Sequence, residues 1–282
     1  MNKQYLQQLQ KFLTENLKNS IQFKDKNQKI ALGFSGGLDS CIIAKLLKDL
    51  KIKYTAYVVG VKDCKDLDTA ETASKELNIP LKKIILTEKI IKKYLPVQIE
   101  ILKQLYEKNK QQIKPETPEK KLNPVSVTSN FPLFFVEKYS KEKIIVSGLG
   151  ADTIFGGFYK YLNLARQESI NQIKKETDIL EKFDYKEDIT TAAYFNKQII
   201  MPFLDKKVIN LSRKIPYELK IKNKQRKYIL RKLAREIKLS KSISEREKKS
   251  AQYGSGIMKI ILRLAKEQGL SLTQQIKQIA EY

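Results

Sequence analysis

Ser35-Gly36-Gly37-Leu38-Asp39-Ser40 gathers two hydroxyls, two glycines and a carboxylate into six residues. It directly follows the apolar run Lys29-Ile30-Ala31-Leu32-Gly33-Phe34 and opens into a helical pattern, Cys41 to Leu50. A strand that breaks into glycine and then into a helix turns successive backbone N–H groups and a helix N-terminus toward one anion. The Ser35 and Ser40 hydroxyls add donors, so the loop reads as a phosphate cradle. Asp39 inside it would repel phosphate unless a divalent cation bridges the two, which implies Mg²⁺. The pattern is not Walker A, because no second Gly and no Gly-Lys-Ser/Thr follow Gly33.

Eleven glycines in 282 residues make their placement informative. Gly33, Gly36 and Gly37 fall in this first loop, Gly148, Gly150, Gly156 and Gly157 in a second, and Gly254 and Gly256 in a third. Such clusters are either ordinary tight turns or places where backbone takes positive φ or closely approaches a ligand, of which phosphate is the usual case. The second loop, Gly148-Leu149-Gly150-Ala151-Asp152-Thr153, is not a dinucleotide fingerprint, since Thr stands where the third Gly belongs. It supplies a second acid, Asp152.

Absences narrow the chemistry further. With no histidine, a Ser-His-Asp triad, a Cys-His dyad and a His-ligated metal are excluded. Cys41 and Cys64 are too few for a four-cysteine zinc site and lack redox-motif spacing, so reduced cytosolic thiols are expected. The apolar runs fall short of the ~20 residues of a membrane span, and the N-terminus does not read as a signal peptide. A soluble cytoplasmic protein with no membrane partner is the expectation. The chain carries 55 Lys/Arg against 31 Asp/Glu, a net charge of +24, and Met201 to Tyr282 holds 21 of the basic residues against 7 acidic ones. Lysine-rich solvated helix faces account for this most simply; nucleic-acid binding is the sharper alternative.

The elements that must position these loops follow from periodicity. Leu6, Leu9, Leu13 and Leu17 predict a helix over Lys3 to Leu17. Lys29–Phe34, Lys53–Val59, Leu81–Leu86 and Lys143–Ser147 read as strands. Cys41–Leu50, Leu67–Leu77, Ile90–Lys110 and Phe131–Tyr139 read as helices, with a proline-containing loop from Lys114 to Pro124. Strands alternating with helices predict an α/β fold, a Rossmann-like parallel sheet with helices on both faces. The expected organisation is an N-terminal helix packed on the core (1–28), an α/β core that carries the phosphate cradle (29–160) and a mostly helical C-terminal part of the same domain (161–282).

At Ser35 to Ser40 the chain resembles the PP-loop ATP pyrophosphatases, whose SGG-x-DS signature holds the pyrophosphate of ATP and yields AMP. The resemblance extends to the synthetase domain of the asparagine synthetase family. Ser147-Gly148-Leu149-Gly150-Ala151-Asp152-Thr153-Ile154-Phe155-Gly156-Gly157-Phe158-Tyr159 is similar to its SGEG[SA]DE-[LV]-FGGY segment. Met201-Pro202-Phe203-Leu204-Asp205 matches its PFLD, Lys227-Tyr228-Ile229-Leu230-Arg231 its K-x-x-LR, and Lys249 its lysine before a short Gly-containing loop. These motifs run from about Ile30 to Ile257. The resemblance implies that Ser35, Gly36, Gly37, Asp39 and Ser40 hold pyrophosphate and that Asp39 and Asp152 contact Mg²⁺. Lys249 would neutralise the departing pyrophosphate, and Lys227 is a second candidate for the phosphates. Leu32, Val59, Ser147 and Gly148 would line the adenosine pocket largely through backbone. Met201 to Asp205 reads as a packing and turn element.

Three departures bear on the activity. Leu149 stands where the family has a glutamate tied to handling the amine proton, and Thr153 where it has a second acid. Met1 is followed by Asn2 rather than a catalytic cysteine, so no glutaminase domain is expected; nitrogen would come as ammonia, from a separate glutaminase subunit, or as another amine. The expected function is an AMP-forming amide ligase using ATP and Mg²⁺ to adenylate a carboxylate, aspartate or a related small acid, for attack by an amine. The alternatives are a PP-loop enzyme adenylating a tRNA base, for which the paired cysteines of thiolation are missing, and a non-catalytic ATP-binding subunit. A homo-oligomer is compatible with each.

Overall fold

The computed structural model describes residues 2–22, 28–110, 122–180, 185–246 and 254–281. In chain order the elements are α1 (Asn2–Ser20), β1 (Ile30–Gly33), α2 (Leu38–Asp49), β2 (Tyr54–Val61), α3 (Lys65–Leu77), β3 (Leu81–Leu86), α4 (Glu88–Lys110) and α5 (Pro124–Tyr139). They continue with β4 (Ile144–Val146), α6 (Ala151–Ile154), α7 (Arg166–Ile179), α8 (Tyr185–Tyr194), β5 (Gln198–Ile200), α9 (Lys206–Lys214) and α10 (Tyr217–Lys220). A hairpin of β6 (Ile221–Lys222) and β7 (Gln225–Arg226) leads to α11 (Tyr228–Glu236), α12 (Lys241–Ser244), α13 (Ile257–Glu267) and α14 (Leu272–Glu281).

Five strands form one sheet in the order β3-β2-β1-β4-β5, every neighbouring pair parallel. This is the doubly wound α/β arrangement the alternation predicts. The side-chain alternation explains why both faces are covered. Ile30 and Leu32 of β1 join Ala56 and Val58 of β2 in the core beneath α1, α2 and α11, whereas Ala31, Tyr57 and Val59 join the core beneath α4 and α5. Strands this apolar on both sides are stable only between two helical layers. Leu9, Leu13 and Leu17 are fully buried, so the stripe read in the first helix packs on the body.

The chain works outward from β1 through β2 to β3, then crosses back to place β4 on the other side of β1. That reversal opens a crevice at the carboxyl ends of β1 and β4, where doubly wound sheets bind ligands. The part read as helical after Tyr159 contributes a strand, β5, to this sheet, as well as the β6–β7 hairpin. Two and three residues are too short to carry a periodic signal. All five helices read from the sequence also begin earlier than their patterns indicate, α2 and α5 by the most. α2 starts at Leu38, inside the loop motif, and α5 at Pro124, where Asn123 caps it by accepting from the Val125 and Ser126 N–H groups at 2.9 and 3.0 Å. Most of the loop assigned to 114–124 lies outside the described residues. Among the described residues no helix is long and apolar enough to cross a membrane.

Candidate active site

All three glycine clusters lie at the carboxyl ends of the strands, after β1, β4 and β2. The first follows β1 and runs into α2, whose leading N–H groups, like those of any helix, have no intrahelical acceptor. Gly36 takes φ +69°, and a Cβ there would lie 2.6 Å from the Thr69 carbonyl oxygen and 2.8 Å from Ala70 Cα, so the loop packs directly on the α3 backbone. Ser40 Oγ donates to the Gly37 carbonyl at 3.1 Å, and Ser35 Oγ accepts from the Gly37 N–H at 3.4 Å. The second cluster follows β4 and lies against the first: a Cβ on Gly148 would be 3.2 Å from Asp39 Cβ and 3.3 Å from the Ser40 nitrogen. The third lies at the end of β2, where the Val61 N–H donates to the Ser255 carbonyl at 2.9 Å and Gly256 takes φ +75° against Val61.

Asp39 and Asp152, 113 positions apart in the numbering, face one another across the β1/β4 crevice. Lys227 joins them. Its Nζ lies 2.6 Å from Asp39 Oδ2 and 2.7 Å from Asp152 Oδ1, and the Lys227 and Asp39 side chains are almost wholly buried. Lys227 is thus not one of the lysines on solvated helix faces. Its backbone is left-handed, at φ 54°, immediately before α11. That conformation costs a non-glycine residue on the order of 1 kcal/mol, and it persists where surrounding contacts fix it. Here Arg226 Nη1 donates to the Gly157 carbonyl at 2.8 Å, buried Arg231 donates from Nε to the Arg226 carbonyl at 2.9 Å, and the Arg231 N–H bonds the Lys227 carbonyl at 3.0 Å. Gly157 makes room for the cluster, since a Cβ there would land on Asp152 Oδ1 and Lys227 Cε.

The remaining sequence-predicted residues divide. Ser147 and Gly148 sit at the β4 end beside the cradle. The Leu32 and Val59 side chains are buried on opposite faces of the sheet, so the two can share a ligand only through backbone. Lys249 lies outside the described residues. Arg246, before that stretch, donates from Nη1 to the Gly36 carbonyl at 2.8 Å and so steadies the cradle. Neither Arg246 nor Arg226 was singled out in the sequence, because no pattern distinguishes them from the other basic residues. Cys41 is fully buried under the loop, and desolvation pushes its thiol up to about 12, so it is an inert core residue there. Met201 to Asp205 does pack and turn: Phe203 is fully buried, and Asp205 caps α9 by accepting from the Lys207 N–H at 2.8 Å and takes a bond from Asn16 Nδ2 at 2.9 Å.

The donor set suits Mg²⁺. Two carboxylates, from the first turns of α2 and α6, converge on a point where a cation, the Lys227 ammonium, already sits. Among the described residues no group of three or more acidic, Cys or His side chains forms a cage. A pair of carboxylates completed by phosphate and water is how Mg²⁺ is commonly held.

Glycine clusters and paired carboxylates thus lie at the switch point of a doubly wound parallel sheet. The chain belongs to the asparagine synthase family, whose model matches residues 13–198 and 184–277. A candidate glutamine-hydrolyzing asparagine synthetase of Methanocaldococcus jannaschii is 28% identical over 311 aligned positions, covering 96% of this chain and 54% of that protein. The chain thus spans about half the length of that relative. An asparagine synthetase domain-containing protein of Saccharomyces cerevisiae is 31% identical over 112 residues, 40% of this chain and 21% of its own length. Among solved structures, the U34-tRNA thiolase NcsA from Methanococcus maripaludis aligns with 100% of this chain and 80% of its own at 17% identity and a TM-score of 0.40.

Proposed function

We propose that the chain is an AMP-forming amide ligase that adenylates the carboxylate of aspartate or a related small acid and passes the acyl group to ammonia or another amine. The observation that carries this reading is the convergence of Asp39, Asp152 and Lys227 beside the glycine cradle at the β1/β4 crevice. In the first step a substrate carboxylate oxygen bonds to the α-phosphorus of ATP while the bond from that phosphorus to the bridging oxygen breaks, releasing pyrophosphate. In the second the amine nitrogen bonds to the acyl carbon, the acyl–oxygen bond breaks, AMP leaves and the amine loses a proton. The cradle N–H groups and the Ser35 and Ser40 hydroxyls hold the pyrophosphate in place, and Lys227 and Lys249 meet the charge that develops as it departs. Asp39 and Asp152 would hold Mg²⁺, which when bound offsets phosphate charge. Leu149 cannot move a proton, so the amine proton leaves by another route. A separate glutaminase subunit is one source of the ammonia.

The test is AMP and pyrophosphate release from ATP and Mg²⁺ with aspartate and ammonium, singly and together. Steady turnover is expected only with both, and Asp39→Ala should lower it by at least about 10³-fold. Undiminished AMP formation by Asp39→Ala would remove the mechanism.

One observation favours a second reading, in which the same centre adenylates an RNA base. Tyr159 is 66% exposed beside the crevice with the Arg226 guanidinium 5.7 Å from its ring, and the adjoining hairpin exposes Lys222 and Lys224. Aromatic and basic side chains so interleaved suit unstacked bases and phosphates. Affinity for mixed tRNA that falls steeply with salt, together with tRNA-dependent AMP release, would establish this reading in place of the first.

A further inference from the structure

Lys227 stands where a cation shared by Asp39 and Asp152 would stand. Its ammonium is within hydrogen-bond distance of both carboxylates and its side chain is 6% exposed. A divalent ion binds carboxylate oxygens at roughly 2.0–2.6 Å, inside the 2.6 and 2.7 Å that Nζ keeps, so the two cations cannot share the position. From this we infer that Lys227 is a built-in counter-cation. It holds the two acids together while the site is empty, blocks a divalent ion from entering alone, and gives up its place only when a triphosphate arrives to receive the ammonium. The inference rests on the reading that Asp39 and Asp152 hold the divalent ion, and it adds an order to the binding: metal and nucleotide enter together.

Electrostatics and packing both support it. Two carboxylates this close repel strongly in a low-dielectric crevice, and the ammonium removes the repulsion. If the metal displaced Lys227 without supplying an anion, a buried ammonium would lose both its partners, which costs roughly a hundredfold or more in an equilibrium constant. Lys227 also cannot simply swing into water. Its backbone is fixed by the Arg226–Gly157 and Arg231 contacts, and Gly157 and Asp152 wall in its stem. The phosphate cradle, to which Asp39 itself belongs, lies beside the ammonium and offers an anion it could meet instead.

The experiment is a calorimetric titration of the full chain with MnCl₂ and no nucleotide, on the unsubstituted protein, Lys227→Met and Lys227→Arg. Lys227→Met keeps most of the stem and loses the charge, and should bind Mn²⁺ at least about tenfold more tightly than the unsubstituted protein. Lys227→Arg keeps the charge and should stay weak. Mn²⁺ should also raise the melting temperature of Lys227→Met and leave that of the unsubstituted protein almost unmoved. Should Lys227→Met fail to fold without metal, Mn²⁺ is expected to restore its circular dichroism. Equal or weaker Mn²⁺ affinity in Lys227→Met, or a variant that stays unfolded at every Mn²⁺ concentration, would overturn the inference and leave Lys227 as a structural tether. No substrate enters these measurements, so they stand apart from the ligase reading. A protein that passes them yet forms no AMP from any acid and amine rejects the ligase and keeps the counter-cation.

Discussion

Two buried lysines flank the β6–β7 hairpin, and they sit in opposite surroundings. Lys220, at the end of α10, is 8% exposed, and Lys227, just before α11, is 5% exposed. Between them the chain reverses through Asn223 and Lys224, both at positive φ, in a two-residue turn that pairs Ile221 with Arg226 and Lys222 with Gln225. Lys227 is met by two carboxylates. Lys220 is depressed by desolvation first and by the nearby Arg213 guanidinium second, which together push its ammonium down to about 8. Depth of burial alone therefore does not set Lys227 apart. What sets it apart is that acids from the first turns of α2 and α6 converge on it and that the chain accepts a left-handed backbone to keep it there.

Breaking the Lys227 side of this contrast should give the largest effects. Lys227→Met is expected to lower AMP formation by about 10²–10³-fold. Without metal it should also lose roughly 3 kcal/mol of stability in urea unfolding, because buried Asp39 and half-buried Asp152 lose the ammonium they share. Gly157→Ala tests the same cluster without touching a charge. The added methyl would land on Asp152 and Lys227 and lie 2.8 Å from Asp152 Cα, a backbone atom that cannot turn aside. Displacing the pair by about 1 Å should lower turnover by about 10²-fold while costing only about 1–3 kcal/mol of stability. A Gly157→Ala enzyme with full activity would show that the Lys227 geometry is not needed for the reaction.

The same contrast explains how much could be read from the sequence. The cradle was legible because its chemistry is contiguous: Ser35 to Ser40 lie between a strand and a helix, and the parallel pairing of the strands follows from that alternation. Asp152 was legible for the same reason, within a glycine cluster of its own. Lys227 carries its motif, K-x-x-LR, but nothing in a chain of 55 Lys/Arg sets its burial apart from that of any other lysine. Its role depends on packing that brings it to a residue 188 positions away. Arg246 and Arg226 act on backbone carbonyls, and such contacts leave no residue pattern. β5 was missed because three residues cannot display a period, although Ile199 and Ile200 continue the apolar register of β4. The early start of α5 had a visible signal, Asn123 before Pro124, a capping residue followed by a proline at the first helical position.

The smallest expected effect lies on the Lys220 side and has the opposite sign. Below about pH 8 Lys220 is protonated in both folded and unfolded chains, and the folded state bears the full cost of the buried charge. Between about 8 and the ordinary lysine value near 10.4 the unfolded chain binds more protons than the folded one, so this residue makes stability rise with pH; above that window the cost is gone. Lys220→Met should therefore stabilise the protein at pH 7 by up to about 3 kcal/mol, with AMP formation unchanged. The gain should shrink toward zero by about pH 10.5. Taking the difference between the two urea-unfolding series across pH 7 to 10.5 cancels the titrations the proteins share. A flat difference would mean that Lys220 reaches solvent in the folded state, and the two lysines would then differ in depth as well as in partners.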